Sequence, residues 1–312
     1  MSEQIVVGID VSKEHLDLSS WPEGPSQQYE NSDAGIEKMI ADIQPLAPEL
    51  IVLEATGGYQ VLAANTLQAH GLPVVVINPR HTRDFAKSTG QLAKTDKLDA
   101  RGLAHFGYAT KPEIRPLPDA DSQRLQGLVA RRLQLVEMRV AELNRQQQTT
   151  CELVREDIAS HLRDLDERID RFEQEIKSMI DNNDTWQAQI RLLRTAKGVG
   201  PVLAFSLVAN LPELGTLNEK EIAKLVGVAP LNCDSGKSRG KRKTWGGRAP
   251  VRCALYLPTI SAIRWNPPIR EMNERLRAKG KPGMVVIVAC MRKLLIVLNA
   301  MMRDQRPWQP NY

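Results

Sequence analysis

The stretch Ile5-Val-Val-Gly-Ile-Asp10 decides the fold of the first part of the chain. Its β-branched residues predict a short buried strand that ends in an acidic residue. His15–Trp21 alternates apolar and polar residues and predicts a second strand, and Gln28–Glu30 is a candidate third. A helix over Ala34–Ile43 and a compact buried strand over Leu50–Glu54 follow.

The next segment continues an alternation of helices and strands. After a break at Gly57–Gly58, Val61–His70 predicts a helix and Leu72–Ile77 predicts another strand. A meander followed by βαβ units implies a mixed sheet covered on both faces, the pattern of α/β RNase H-like domains. We therefore expect an RNase H-like domain over residues 1–115.

Beyond this domain the apolar residues recur at helical spacing. Val129–Leu143 and Leu162–Met179 both carry apolar residues at alternating intervals of three and four. Two such heptad-like helices predict a coiled-coil helical hairpin over residues 116–185, whose partner helix lies either in the same chain or in a second copy. Residues 186–312 are predicted to form a mainly α-helical domain, broken by a basic glycine-rich loop.

Charge is strongly segregated along the 312 residues. From Ser235 onward there are 17 Lys and Arg against 3 Asp and Glu, whereas the preceding residues hold 25 basic and 34 acidic side chains. Lys and Arg release counterions when they bind phosphates, so this segregation indicates a polyanionic partner for the C-terminal part.

Several classes of protein are disfavoured. The N-terminus carries no signal-peptide pattern. The apolar stretch Met284–Met302 contains Arg292 and Lys293, which favours a buried helix over a membrane span. We therefore expect a cytoplasmic protein without a membrane partner. A reducing compartment also fits the scattered cysteines, which indicate neither a disulfide framework nor a zinc site: Cys151, Cys233, Cys253 and Cys290.

Acidic residues stand at positions where metal ligands are expected. Asp10 and Glu54 end two predicted strands, and parallel neighbours would bring both to one sheet edge. Asp96 and Asp99 share one face of a predicted helix, with Thr95 a candidate N-cap. Converging carboxylates repel unless cations intervene, and two Mg²⁺ ions about 4 Å apart would clamp a phosphodiester. Each residue alone is also explained as a turn former or a helix cap.

The basic loop contains a candidate nucleophile. Ser235 is followed directly by glycine, which favours an exposed hydroxyl on a tight turn, and Ser238 competes with it on the same grounds. A flexible nucleic-acid-binding loop with incidental serines is the alternative. The glycines let the backbone approach a phosphate. The seven basic residues of Asp234–Arg252 are predicted phosphate contacts: Lys237, Arg239, Lys241, Arg242, Lys243, Arg248 and Arg252.

Upstream, the stretch Lys197-Gly-Val-Gly200-Pro201 precedes an apolar helix. Glycines followed by proline at the first helical position resemble a helix-hairpin-helix element, whose backbone N–H groups hold a phosphate. Lys197, Gly198 and Gly200 are therefore predicted nucleic-acid contacts, with an ordinary glycine-rich helix connection as the alternative.

Together these motifs resemble one family, the DEDD transposases of bacterial insertion sequences, which are relatives of the Piv-type DNA invertases. The N-terminal motifs are Gly-Ile-Asp-Val-Ser-Lys (8–13), Leu-Glu-Ala-Thr-Gly-Gly-Tyr (53–59), Val-Ile-Asn-Pro (76–79) and Lys-Thr-Asp-Lys-Leu-Asp-Ala-Arg (94–101). The C-terminal motifs are Gly-Val-Gly (198–200), Leu-Val-Gly-Val-Ala-Pro (225–230), Asp-Ser-Gly (234–236), Gly-Gly-Arg (246–248) and Val-Arg-Cys-Ala-Leu-Tyr (251–256).

The resemblance implies a RuvC-like N-terminal domain in which Asp10, Glu54, Asp96 and Asp99 bind Mg²⁺. It also implies that Ser235 attacks DNA to form a covalent phosphoserine intermediate. The expected partners are donor and target DNA, a structured bridge RNA that guides the enzyme, and further copies of the chain in a dimer or tetramer. In such assemblies the carboxylates of one subunit act with the serine of another.

Three other functions are compatible with parts of the sequence. A RuvC-like nuclease or junction resolvase would use water in place of serine. An actin-like or sugar-kinase ATPase also begins with Gly-Ile-Asp, but the further glycine-rich phosphate loops of those folds are absent from this sequence. A non-catalytic nucleic-acid-binding protein would keep the fold without activity.

Overall fold

The computed structural model describes residues 4–24, 26–90, 96–232, 234–235, 238–240 and 242–310, with backbone only at 96–97, 234–235 and 238–239. The chain divides into two compact units, Met1–Pro118 (unit 1) and Asp119–Tyr312 (unit 2).

Unit 1 is a mixed five-stranded sheet covered by helices. Its strand order is β3-β2-β1-β4-β5; β1 pairs antiparallel with β2 and parallel with β4, and β4 pairs parallel with β5. This meander joined to βαβ units is the RNase H-like fold, and it confirms the predicted fold class. The elements of unit 1 are β1 (Val6–Val11), β2 (His15–Trp21), β3 (Gln27–Glu30), α1 (Asp33–Ile43), a 3₁₀ turn (Gln44–Leu46), β4 (Leu50–Glu54), α2 (Gln60–Ala69), β5 (Val74–Ile77), α3 (Pro79–Ser88) and α4 (Asp96–Thr110).

Both faces of the sheet are buried because the central strands are apolar on each side. On one face, Val7 and Ile9 of β1 pack in a cluster with Ile36 of α1 and Leu67 of α2. On the other face, Val6 packs in a cluster with residues of β4, β5 and α4. The alternation of side chains along β1 therefore determines which of its residues face α4.

Unit 2 is mainly helical, as predicted, with two short strand pairs that the sequence analysis did not predict. Its elements are α5 (Ala120–Gln148), α6 (Glu152–Asp181), α7 (Asp184–Arg194), α8 (Pro201–Asn210), α9 (Glu219–Val226), β6 (Pro230–Leu231), β7 (Asp234–Ser235), β8 (Ser238–Arg239), β9 (Lys243–Thr244), α10 (Ala249–Trp265), α11 (Pro267–Ala278) and α12 (Gly283–Asp304).

Helices α5 and α6 pack against each other within one chain. Leu135 of α5 is fully buried in a cluster with Leu165 and Ile169 of α6. An ion pair between Arg132 and Glu173 links the same two helices. This intrachain contact covers part of the heptad pattern, whereas Val140 on α5 is 49% exposed.

Helix α12 is the most apolar long helix of unit 2. In the part of the chain that the structure describes, it is the single helix long and apolar enough to cross a membrane. Half of its most apolar window is nevertheless buried inside unit 2. Ten of its residues, among them Leu294, Leu295 and Leu298, are buried, as expected for a core helix.

Candidate active site

Asp10 and Glu54 lie level with each other at the carboxyl ends of neighbouring strands. Strands β1 and β4 are parallel, and Ile9 pairs in register with Leu53, so the next residue on each strand is a carboxylate. Neighbouring strands lie about 4.8 Å apart. Both acids are partly exposed. The structure therefore brings together the first two predicted carboxylates.

The two acids also share a face of the sheet. Asp10 follows Val6 by four residues and Glu54 follows Val52 by two, so each carboxylate lies on the side of these valines. Val6 and Val52 belong to the buried cluster that contains Leu103 of α4. Asp10 and Glu54 therefore emerge on the face covered by α4.

Helix α4 runs antiparallel to β1 and touches it closely. A Cβ on Gly8 would lie 2.2 Å from the carbonyl oxygen of Ala100, so only glycine permits this approach. Further along α4, a Cβ on Gly107 would lie 2.9 Å from Val6, near the opposite end of β1. The N-terminal turn of α4 is therefore at the carboxyl end of β1, beside Asp10.

This first turn carries the other two predicted acids. Asp99 precedes Ala100 directly and is partly exposed, and α4 begins at Asp96, whose side chain lies outside the description. Thr95, the predicted N-cap, also lies outside the described residues. Among the described side chains, no group of three His, Cys, Asp or Glu is placed to hold a metal ion. Asp10 and Glu54 nevertheless supply the oxygen donors that hard divalent cations prefer.

Glu54 has a partner that the sequence analysis missed. The hydroxyl of Thr82 in α3 donates a hydrogen bond to Oε2 of Glu54 at 2.8 Å. No helix was predicted between β5 and Thr95, although Asn78 followed by Pro79 is a recognisable helix start. Asn78 does cap α3, because its side chain accepts a hydrogen bond from the N–H of Arg80.

Asp17 is an acid near the candidate site that the sequence pattern did not single out. It pairs in register with Asp10 across β1 and β2, so both side chains lie on the face covered by α4. Asp17 is only 6% exposed, and its Oδ1 accepts a hydrogen bond from Gln28 on β3. A row of polar side chains therefore crosses three adjacent strands beside the candidate site.

The basic loop of unit 2 has an ordered base. Pro230–Leu231 (β6) pairs antiparallel with Lys243–Thr244 (β9), which closes the loop as a stem. At its foot, a Cβ on Gly227 would lie 2.1 Å from the carbonyl oxygen of Gly246, so the two glycine turns are in direct backbone contact. The predicted loop is therefore anchored at both ends.

Ser235 and Ser238 are register partners. They belong to the antiparallel pair β7 and β8, in which Asp234 pairs with Arg239 and Ser235 with Ser238. Two residues, Gly236 and Lys237, connect the strands and lie outside the described residues. Backbone placement therefore brings both candidate nucleophiles to the same level of one hairpin.

Two arginines that were predicted to contact phosphate instead donate hydrogen bonds to acceptors within the chain. The guanidinium group of Arg248 donates to both carboxylate oxygens of Glu213 and to the carbonyl of Asn210. Arg252 donates to the carbonyl oxygens of Val226 and Gly246. Both arginines thus attach the stem to the helical core.

Of the remaining basic residues of the loop, the structure describes the side chains of two. Arg242 and Lys243 are exposed. Lys237 and Lys241 lie outside the described residues, as does the side chain of Arg239. Arg242 and Lys243 are therefore the cations of the loop that the structure shows facing solvent.

The predicted helix-hairpin-helix element lies between α7 and α8. Gly198 has a φ of +97°, and a Cβ there would lie 2.6 Å from the backbone N of Ala262, so packing against α10 alone requires this glycine. Gly200 is the N-cap of α8 and has open space around it. The Lys197 ammonium lies 5.7 Å from the ring centre of Trp308.

Both the N-terminal and the C-terminal parts of the chain match models of transposase families. Residues 7–152 match the family model of DEDD transposases of the IS110 group, described as a transposase, and residues 190–274 match the model described as "Transposase IS116/IS110/IS902 family". The pilin gene-inverting protein of Moraxella bovis is 28% identical over 97% of both chains. The transposase for insertion sequence element IS1111A of Coxiella burnetii is 21% identical over 76% of this chain and 71% of its own.

Among solved structures, Thermus thermophilus RuvC in complex with a Holliday junction substrate matches 37% of this chain and 100% of its own, at 15% identity and a TM-score of 0.29. The RNase H-like assignment rests on the strand order and not on this match.

The fold and the relatives define an enzyme that acts on DNA, a transposase or recombinase. The chain belongs to the IS110/IS116/IS902 family of insertion-element transposases, which confirms the resemblance found in its motifs.

Proposed function

We propose that this transposase cuts and rejoins DNA through a phosphoserine intermediate, under the guidance of a structured RNA. The observation that carries the proposal is the level placement of Asp10 and Glu54 on neighbouring parallel strands, on the face where α4 begins. We assign Asp10, Glu54, Asp96 and Asp99 as ligands of Mg²⁺. When bound, Mg²⁺ supplies Lewis-acid stabilisation of charge on the attacked phosphate.

Ser235 is the proposed nucleophile. Its Oγ forms a bond to the phosphorus of the scissile phosphodiester and gives up its proton to solvent, while the bond from phosphorus to the oxygen of the displaced strand end breaks and that oxygen takes up a proton from solvent. The phosphoserine bond conserves energy, so a second strand end can attack it and restore Ser235 without ATP. The match of residues 190–274 to the family model, which includes the Asp-Ser-Gly motif, supports this role.

Phosphate binding is divided between two sets of basic residues. Arg242 and Lys243 are exposed on the stem and are proposed to contact DNA or RNA backbone. Arg248 and Arg252 are proposed to hold the stem in place, because carbonyl and carboxylate acceptors already engage them. The other proposed contacts are Lys197, Gly198, Gly200, Lys237, Arg239 and Lys241.

The proposed partners follow from the family. They are donor and target DNA, a bridge RNA, and further copies of the chain in a dimer or tetramer, in the bacterial cytoplasm at the nucleoid. The positive balance from Ser235 onward suits two nucleic-acid partners.

Trapping of a covalent protein–DNA adduct tests the nucleophile. With labelled DNA and denaturing gels, Ser235→Ala should abolish the adduct while DNA binding, measured by filter retention, stays near the wild-type value. Ser238→Ala is the matched control and should keep the adduct. Cleavage by the wild-type protein without any adduct would instead identify a nuclease that uses water.

A further inference from the structure

Thr82 is nearly buried beside Glu54. It is 8% exposed, and its Oγ1 lies 2.8 Å from Oε2 of Glu54 and 3.0 Å from the carbonyl oxygen of Pro79. A hydroxyl group has one hydrogen and can donate it fully to one acceptor. The charged carboxylate is the closer and stronger acceptor, so it takes the hydrogen.

Backbone structure determines the position of Thr82. Glu54 pairs in register with Ile77, the last residue of β5, and the N–H of Ala55 donates to the carbonyl of Ile77 at 2.9 Å. Helix α3 starts two residues later at Pro79, so its first turn begins level with Glu54. Thr82 lies one turn into α3 and reaches the carboxylate from there.

The two strand acids differ in how they are held. Oδ1 of Asp10 accepts a hydrogen bond from the N–H of the next residue, Val11, at 3.1 Å, so the backbone of β1 restrains this short side chain. Glu54 has one more rotatable bond and reaches further from its strand. Thr82 holds one oxygen of the Glu54 carboxylate and leaves Oε1 for another partner.

We propose that Thr82 is a positioning residue that orients the Glu54 carboxylate toward a divalent cation. This inference rests on the proposed function, in which Glu54 is a metal ligand. Groups that hydrogen-bond to metal ligands change metal affinity by about 10–100-fold when they are removed. The same loss is expected here for removal of the Thr82 hydroxyl.

Titration of the full-length protein with Mn²⁺ in a calorimeter tests this role. Thr82→Val keeps the branched shape but removes the hydroxyl, and should weaken Mn²⁺ binding by about 10–100-fold. Thr82→Ser should restore binding. Thr66→Val is the matched control, because the Thr66 hydroxyl on α2 donates to the carbonyl of Leu62, at 2.9 Å, and to no other group among the described residues. It should bind Mn²⁺ like the wild-type protein.

DNA cleavage gives an independent readout. In Thr82→Val the Mg²⁺ concentration for half-maximal cleavage should rise by the same factor as the loss of Mn²⁺ affinity, while the rate at saturating Mg²⁺ changes little. A purely structural role would lower the maximal rate and leave the Mg²⁺ dependence unchanged. Circular dichroism checks folding, and Thr82→Ala provides a smaller variant if the valine variant does not fold.

Glu54→Gln distinguishes a failure of the proposed metal site from a failure of the proposed role of Thr82. If it leaves Mn²⁺ binding unchanged, Glu54 is not a ligand and the proposed metal site is wrong. If Glu54→Gln loses binding but Thr82→Val and Thr82→Ala bind Mn²⁺ like the wild-type protein, the metal site stands and the role of Thr82 is overturned.

Discussion

Substitution of Gly8 by alanine tests whether the contact between β1 and α4 sets the geometry of the acidic site. The added Cβ would lie 2.2 Å from the carbonyl oxygen of Ala100 and 2.4 Å from the N of Ala104. Ordinary contact begins near 3.4 Å, so α4 must move away from β1 by about 1 Å. Both neighbours are backbone atoms and cannot rotate away.

The expected cost follows from this displacement. Overpacking of a core costs about 1–3 kcal/mol, and the rigid backbone on both sides places Gly8→Ala at the upper end, about 3 kcal/mol. A shift of about 1 Å in a catalytic group lowers activity by roughly 100-fold. Urea unfolding measures the first effect, and the rate of DNA cleavage by protein that remains folded measures the second.

Gly102→Ala in the same helix is the matched control. A Cβ at Gly102 meets no atom within 4 Å, so alanine should stabilise unit 1 by about 0.5–1 kcal/mol through its better helix propensity. A Gly8→Ala protein as stable and as active as the wild type would show that the contact between β1 and α4 does not set the geometry of the acidic site.

Two further predictions concern the basic stem of unit 2. Arg242→Ala and Lys243→Ala should each reduce the slope of log K against log salt concentration for duplex DNA by about 0.9, measured by fluorescence anisotropy, and unchanged slopes would exclude both residues as phosphate contacts. Arg248→Ala removes the bidentate donor to Glu213, which is 15% exposed, and should destabilise unit 2 by about 1–3 kcal/mol. It should also speed tryptic cleavage between residues 237 and 243, whereas resistance equal to wild type would show that the ion pair does not anchor the stem.

Much of unit 1 was predictable because its strands carry strong local patterns. The apolar run before Glu54 gave the bounds of β4, and the alternation over His15–Trp21 gave those of β2. Acidic residues at the ends of such strands then predicted the meeting of Asp10 and Glu54. These features depend on side-chain periodicity, which a sequence displays directly.

Other features depend on contacts between distant segments and were not predictable in this way. The hydrogen bond from Thr82 to Glu54 joins residues 28 positions apart. The engagement of Arg248 by Glu213 likewise could not be inferred from a basic loop that favours phosphate contacts. Strand pairs of two residues, such as β7 with β8, are too short to show periodicity.

The placement of α12 has a consequence for how this enzyme is made. Its ten buried residues come from positions 286–302, C-terminal to every other element of unit 2. A ribosome must therefore release nearly all of the chain before the hydrophobic interior of unit 2 can close. Products of premature termination lack the ten α12 residues of that interior, so we expect a truncated copy of the gene to yield a destabilised unit 2.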